Sequence, residues 1–215
     1  EEHLGGQISL ASKLPYRQGF LDVAIYLENQ IKKLPIEVYC GVEITESDMQ
    51  LMVEDFDYVV AATGSKFYIP PIFNDVDPSS MMTIKDMLDP ETSIGENVIV
   101  VDIEWRQNPL GVAEWLVQKG HKVTIISSTF YIGEGLDVVT RTSHYSRIYS
   151  KSVFQPLTSL TSLKQKTAIL RNVLSGEENA VFPIDNVIFC TGSLPENKTF
   201  NNSEGQKGNL LKIGD

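Results

Sequence analysis

Two stretches of the chain end in the same way. Val59-Val60-Ala61-Ala62-Thr63-Gly64-Ser65 and Val187-Ile188-Phe189-Cys190-Thr191-Gly192-Ser193 are apolar runs that stop on Thr-Gly-Ser, and each follows an aspartate, Asp57 or Asp185. An apolar run without polar alternation is the pattern of a strand buried on both faces, as in a parallel sheet. The glycine behind it lets the chain turn sharply. It also lets a ligand approach the backbone at the carboxyl edge of the sheet, where open α/β folds bind ligands. An ordinary strand-to-loop turn would explain either stretch alone. The repetition predicts two nested copies of one α/β fold.

Composition sets the bounds. The chain has 215 residues, room for one large domain or two small ones, and is 42% hydrophobic, enough for a packed core. The formal net charge of −10 argues against nucleic acid and anionic membrane as partners. Cys40 and Cys190 lie in or at the end of apolar runs and read as buried thiols, not as a disulfide framework or a metal site. No apolar stretch is long enough to span a bilayer, and no signal peptide is visible, so the reducing cytoplasm is the default expectation. Glu1-Glu2-His3 leads straight into Gly5-Gly6 with no preceding strand, and Asp215 stops inside a motif that normally opens a helix. The chain is therefore expected to be a piece of a larger protein.

Local patterns predict the elements. Phe20, Ala24, Leu27 and Ile31 recur at helical spacing within an amphipathic helix over Tyr16 to Lys33, closed by Pro35. Ile36 to Tyr39 reads as a short strand. Met49 to Glu54 and Tyr58 to Ala62 read as a small β pair. Tyr68 to Ser80 reads as a linker, and Thr83 to Leu88 as a helix that starts on Thr83. Asn97 to Asp102, then Leu110 to Lys119 with Ala113, Leu116 and Val117 inward and Gly120 at its end, then Lys122 to Ser127, form a βαβ unit. Gly133-Glu134-Gly135 reads as a mobile turn and Thr140 to Lys151 as a helix. Gln155 to Leu160, Thr167 to Asn172 and Val181 to Cys190 read as strands, and 201–208 as a polar loop.

Leu4-Gly5-Gly6-Gln7 stands at the start of the chain and Ile213-Gly214-Asp215 at its end. The order Gly-Gly-Gln, Ala-Thr-Gly, a second Thr-Gly, Ile-Gly-Asp resembles the two-dinucleotide-binding-domain flavoproteins. The stretch Val98-Ile99-Val100-Val101-Asp102 through Val112-Ala113-Glu114-Trp115-Leu116 to Gly120-His121-Lys122-Val123-Thr124 narrows the likeness. It resembles the C-terminal FAD/ADP- and NAD(P)-binding-like region of the trimethylamine dehydrogenase and 2,4-dienoyl-CoA reductase group. These are flavoproteins whose N-terminal half is an old-yellow-enzyme-like barrel. The absence of a glycine fingerprint before the helix favours the amine-dehydrogenase branch.

The resemblance implies an α/β architecture of two nested Rossmann-like lobes, with the first βα unit missing. Residues 1–68 and 194–215 would form a partial FAD/ADP-binding lobe, and 69–193 an inserted NAD(P)-binding-like lobe. It implies FAD or ADP in the first lobe of the parent, and FMN with a 4Fe–4S cluster in the part upstream. Gly5, Gly6 and Gln7 would face the pyrophosphate and ribose, and the backbone near Val42 the adenine. Ala62, Thr63 and Gly64 would close over the ligand, and Gly214 and Asp215 would approach the flavin ribityl or the equivalent space. The G-x-G-x-x-G turn and ribose acid of that lobe would lie before residue 1, so the chain alone is expected to bind neither nucleotide tightly.

The second dinucleotide site fails two tests. Counting back from Ala113 and Leu116 puts the three glycine positions at Glu104, Arg106 and Pro109. Glu104 would set a carboxylate near a pyrophosphate, and Trp105 would fill its space. The next strand ends in Ser127-Ser128-Thr129, with neither an acid for an NAD ribose nor a base for an NADP phosphate. A shifted alignment is the other reading, with Gly111 the one nearby glycine. No NAD(P) is expected.

Other chemistry is missing. There is no C-x-x-C for disulfide exchange, and two cysteines cannot hold an iron–sulfur cluster. His3, His121 and His144 are scattered, with His121 a surface residue after a helix-ending glycine. Asp102, Glu134 and Asp137 read as solvated loop charges. The chain reads as the nucleotide-binding-fold region of an FMN and iron–sulfur oxidoreductase acting on an amine or N-methyl compound. The alternatives are an NAD(P)H-dependent enoate or 2,4-dienoyl-CoA reductase, and a non-catalytic scaffold. Expected partners are a small-molecule substrate, an electron-transfer partner of the parent, and further copies of the parent in a homo-oligomer.

Overall fold

The computed structural model describes residues 3–196 and 209–213. In chain order the first half holds α1 (Gly6–Ala11), α2 (Phe20–Ile31), α3 (Glu46–Asp55), β1 (Val59–Ala61), β2 (Ser65–Phe67), β3 (Met81–Thr83), α4 (Ile84–Met87), β4 (Asn97–Asp102) and α5 (Gln107–Gln118). The second half holds β5 (Lys122–Ser127), α6 (Val138–Ile148), β6 (Ser152–Gln155), β7 (Thr158–Lys164), β8 (Thr167–Asn172), β9 (Glu178–Val181), β10 (Asn186–Cys190), β11 (Ser193–Pro195) and β12 (Leu210–Lys212). The chain divides into two compact units. One is drawn from 1–9, 19–66 and 193–215, the other from 10–18 and 67–192.

The second unit is a Rossmann-like α/β layer. Its parallel sheet has the order β3-β10-β4-β5-β6. Successive residues of β4 enter opposite cores: Val98 and Val100 pack with Leu110, Ala113, Leu116 and Leu14, whereas Ile99 and Val101 pack with Phe73, Leu163 and Phe189. That alternation is the two-residue period of a strand covered on both faces. Every residue of β10 is buried, as the run before the second Thr-Gly-Ser predicts. Leu14, from the 10–18 segment, is 1% exposed in this core. An antiparallel sheet, β7-β8-β9, lies in the same unit, where the sequence shows a β-rich stretch.

Several sequence expectations change here. Tyr68 to Ser80 is not a linker. Phe73 and Val76 are buried, Val76 bridges to Leu163, and short 3-10 turns hold Pro71–Phe73 and Pro78–Ser80. Thr83 does cap α4, through a reciprocal box with Asp86. The apolar run 181–190 breaks into β9 and β10, and 155–160 divides between β6 and β7.

In the first unit β1 pairs in parallel with β12, Val59 opposite Leu210. Met49, Val53 and Ala61 form a small core with Ile44, Val59 and Leu210 against them. Met49 to Glu54 is helical, not a strand. Thr45 and Asp48 exchange capping bonds at its start, and Met49 and Val53 are one turn apart on its buried face. β1 is not buried on both faces, since Val60 is 53% exposed. Ile36 to Tyr39 forms no strand, and Cys40 is exposed, not buried. The α2 helix forms at the predicted spacing, yet none of its residues is buried among the described residues. The expected polar loop at 201–208 lies outside the described residues.

Candidate functional site

In the second unit the carboxyl end of β4 runs through residues 103–106 into α5, the place where this fold seats a pyrophosphate. Glu104, Arg106 and Pro109 stand on this turn and the first helical residues, and Trp105 takes a left-handed φ of 56°. The Glu104 N–H donates to Cys190 O at 3.1 Å. Burial pushes the Glu104 carboxyl up and Asp102 adds to this, while bonds from Asn108 and the charge of Arg17 oppose it. Its Oε1 is buried and has no hydrogen-bond partner among the described residues.

Arg17 fills the other side. It is 6% exposed, and its guanidinium donates to Asn108 Oδ1 at 2.7 Å and to Gln107 O at 2.8 Å. Burial lowers its pKa, against the nearby carboxylates Glu104 and Glu114. Gly111 makes the room: a Cβ there would come 2.9 Å from Arg17 NH2. Sequence reasoning missed Arg17. Its signal was the glycine inside a helix, which marks a close approach.

Asp102 is not a solvated loop charge. It is 1% exposed and accepts the Trp105 N–H at 2.8 Å and the Gly133 N–H at 2.7 Å. Burial raises its pKa to about 6, against these two bonds. The Gly133-Glu134-Gly135 turn is thereby fixed, with a further bond from Gly135 N–H to Trp105 O at 2.8 Å. Trp105, by contrast, is 45% exposed. At the end of β5, where a ribose acid would stand, Ser127 Oγ and Thr129 Oγ1 bond to each other at 2.9 Å. Asp137 caps α6, and Glu134 accepts the Phe130 N–H.

The third histidine is also structural. His144 Nδ1 lies 3.0 Å from Glu114 Oε2, both side chains buried, and Arg147 Nε donates to Glu114 Oε1. Burial pushes the Glu114 carboxyl up, but its bonds and charges from His144 and Arg147 outweigh this and hold it below the ordinary value. The network ties α5 to α6.

In the first unit Gly5 and Gly6 take positive φ and lead into α1. A Cβ on Gly5 would come 2.3 Å from Ser9 Oγ, so its own helix already demands the glycine. The Gln7 amide donates to Ser65 O and Ser65 Oγ, each at 2.7 Å, which brings the Gly-Gly-Gln and first Thr-Gly-Ser motifs together. Ala62, Thr63 and Gly64 are exposed, and Gly64 has φ 69° with nothing among the described residues within 4 Å of where a Cβ would point. Val42 is 58% exposed. Nearby in sequence, His3, Leu4, Glu28, Ile31, Lys32, Val38 and Cys40 line a half-open cavity of about 250 Å³. Gly214 and Asp215 lie outside the described residues. Among the described residues, no group of three or more His, Cys, Asp or Glu side chains is placed to hold a metal ion.

No protein-family model matches the chain. The N,N-dimethylglycine/sarcosine dehydrogenase of Chromohalobacter salexigens is 24% identical over 99% of this chain and 32% of its own length. Among solved structures, histamine dehydrogenase from Rhizobium sp. 4-9 superposes with a TM-score of 0.84 at 21% identity, over 99% of this chain and 35% of that one. The likeness is one of fold, a Rossmann-like α/β layer. A 2-naphthoyl-CoA reductase superposes with a TM-score of 0.85 at 20% identity, over 98% of this chain and 31% of that one. The chain thus spans about a third of the length of these relatives and is related to oxidoreductases. Among the described residues, no helix is long and apolar enough to cross a membrane.

Proposed function

We propose that the chain is the nucleotide-binding-fold region of an FMN- and iron–sulfur-containing oxidoreductase that acts on an amine or N-methyl compound. The observation that carries this reading is the end-to-end likeness to a dimethylglycine/sarcosine dehydrogenase, and the fold match to a histamine dehydrogenase agrees with it. In this reading the parent holds FAD or ADP in the first unit, against Gly5, Gly6, Gln7, Val42, Ala62, Thr63 and Gly64, with Gly214 and Asp215 beyond. The open face of Gly64 and the exposed backbone at Val42 leave room for such a ligand. FMN and the 4Fe–4S cluster belong to the rest of the parent, which works in the cytoplasm with a small-molecule substrate and an electron-transfer partner. Homo-oligomerisation belongs to the same reading.

The second unit takes no NAD(P). Glu104 sets a buried carboxyl against Asn108 at the start of α5, Arg17 fills the space beside it, and the Gly133–Gly135 turn lies on the loop. A dinucleotide phosphate there would meet Glu104 and Asp102 in a poorly hydrated place, which is costly. In this reading the chain alone is inactive, and the reaction belongs to the whole parent.

The fold match to 2-naphthoyl-CoA reductase favours a second reading, an NAD(P)H-dependent reductase of enoates or enoyl thioesters. One experiment separates them. The purified parent is denatured, its released nucleotides are chromatographed, and the enzyme is assayed with N-methyl amines and an artificial acceptor, then with NADH and enoyl thioesters. The expected result is FMN with ADP or FAD and amine-dependent acceptor reduction. NADH consumption driven by an enoyl thioester would establish the second reading instead.

A further inference from the structure

One face of the small sheet in the first unit is bare. β1 and β12 run in parallel, with Val60 beside Leu211. Val59, Ala61 and Leu210 pack with Met49 and Val53 of α3, which cover that side. Side chains alternate along a strand, so Tyr58, Val60, Leu211 and Ile213 share the opposite side. All four are exposed, and none joins an apolar core among the described residues.

The same sheet has an open edge. The Val59 N–H donates to Asn209 O at 2.9 Å, and the Ile213 N–H to Ala61 O at 3.0 Å. Residues 59 and 61 thus face β12, and the alternation turns the Val60 N–H and C=O toward the other edge. Among the described residues no strand pairs there. Other parts of the unit also lack neighbours. Ile36, Val38, Cys40 and Val42 alternate with Glu37, Tyr39, Gly41 and Glu43, the pattern of a half-buried strand, yet they join no sheet among the described residues. Leu21, Val23, Ile25 and Tyr26 spread round α2, and all are exposed.

The chemistry of the surface selects its occupant. Parallel sheets are covered by helices on both faces, and a parallel neighbour arrives with a crossover helix of its own chain. This chain spans about a third of the length of its relatives, so a longer parent has the residues to supply such a unit. A second copy fits less well, because each carries a net charge of −10 and two repel each other.

We propose that the open edge of β1 and the Tyr58, Val60, Leu211 and Ile213 face dock a strand-and-helix unit from the rest of the parent. The strand pairs in parallel with β1 through the Val60 N–H and C=O, and the helix lays an apolar stripe on the bare face. A parallel strand ends on the same side as β1. Its carboxyl end therefore arrives beside Thr63-Gly64 and near Gln7, which bonds to Ser65. Docking completes the place assigned to the adenine nucleotide. This role rests on the reading that the chain is one region of a longer oxidoreductase.

Residue-resolved hydrogen exchange and thiol labelling on the purified parent test this, with the chain alone as reference. The Val60 N–H should exchange at least about tenfold more slowly in the parent than in the chain. Val60→Cys and Leu211→Cys should each react with a maleimide at least about tenfold more slowly in the parent than in the chain. Sedimentation should show the chain alone as a monomer. Equal exchange at Val60, or equal labelling of both cysteines, overturns the docking surface. So does protection of Val60 in a dimer of the chain alone, which would give the face to a second copy. Should a cysteine variant fail to fold, the wild-type exchange at Val60 decides the matter. The assay with N-methyl amines is read separately: a parent that oxidises none of them would overturn the substrate reading without touching the docking result.

Discussion

Ser65 Oγ and Ser193 Oγ lie 2.7 Å apart, so the serines of the two Thr-Gly-Ser motifs bond to each other. The threonines repeat the reciprocity. Thr63 donates to Glu196 O at 2.7 Å, and Thr191 donates to Tyr68 O. Each acceptor lies five residues beyond the threonine of the other motif. The repeated motif thus has a structural reason that needs no ligand: each hydroxyl steadies the chain leaving the other strand. Removing either serine hydroxyl should cost about 0.5–1.5 kcal/mol in urea unfolding. Ser65→Ala should cost more, because Gln7 also bonds to that hydroxyl. The double variant should cost less than the sum by about 0.5 kcal/mol or more. Strict additivity would show that the serines do not act on each other.

Loss of the Glu114 carboxylate should be far more damaging than loss of a surface charge. It is 1% exposed and carries both His144 and Arg147. Glu114→Ala strands those partners, and about 3–5 kcal/mol of stability should go with it. The folded carboxyl titrates below its ordinary 4.5, so its contribution is present above that value and is lost as the pH falls below it. The gap between wild type and variant should therefore narrow on acidification.

Asp185 gives a second pH signature. Bonds from Lys166, then from the Asn97 N–H, bring its pKa down from 3.8 to about 2. A depressed carboxyl stabilises the fold above its unfolded value and loses that effect as the pH falls through the folded one. Asp185→Asn should cost about 1–2 kcal/mol at pH 7, discounted because Lys166 is largely exposed, and almost nothing below pH 2. Denaturant midpoints measured between those limits check the slope.

The second unit was the legible half of this chain. The apolar runs of β4 and β5, the helical spacing of α5 and the Thr83 cap of α4 let local pattern and tertiary fold agree there. The misses share a cause. Phe73 and Val76 sit in a Pro- and Asp-rich stretch, and only their distant partners on β7 and β10 show that it is core. Met49 to Glu54 was read by its apolar residues, although Thr45-x-x-Asp48 before it was a helix-start signal. Asp102 looked like a loop charge because nothing nearby in sequence shows Gly133 reaching back to it. Arg17 lies some ninety residues from the helix start it serves.

The second unit should not bind NADH or NADPH in the isolated chain. Glu104 and Arg17 hold the start of α5, and Ser127 and Thr129 bond to each other at the ribose position. Titration calorimetry should show no binding tighter than about 100 μM, roughly −5.5 kcal/mol.

Gly64 and Gly192 separate a ligand site from a turn. Their φ values, 69° and 77°, are left-handed, and in both cases a Cβ would meet nothing within 4 Å among the described residues. Valine at either place should therefore cost only the backbone strain, roughly 1–3 kcal/mol, and nearly the same at both. Their ligand consequences should differ. Open space beside Gly64 is where the proposed adenine nucleotide of the parent comes close, so Gly64→Val should also empty the parent of that nucleotide. Gly192 ends the strand of the unit proposed to hold no NAD(P), so Gly192→Val should leave nucleotide content at the wild-type level. Thermal unfolding gives the first comparison, and chromatography of the released nucleotide gives the second. If both variants lose equal stability and keep full nucleotide, Gly64 serves only the turn, and the ligand site assigned to the first unit is wrong.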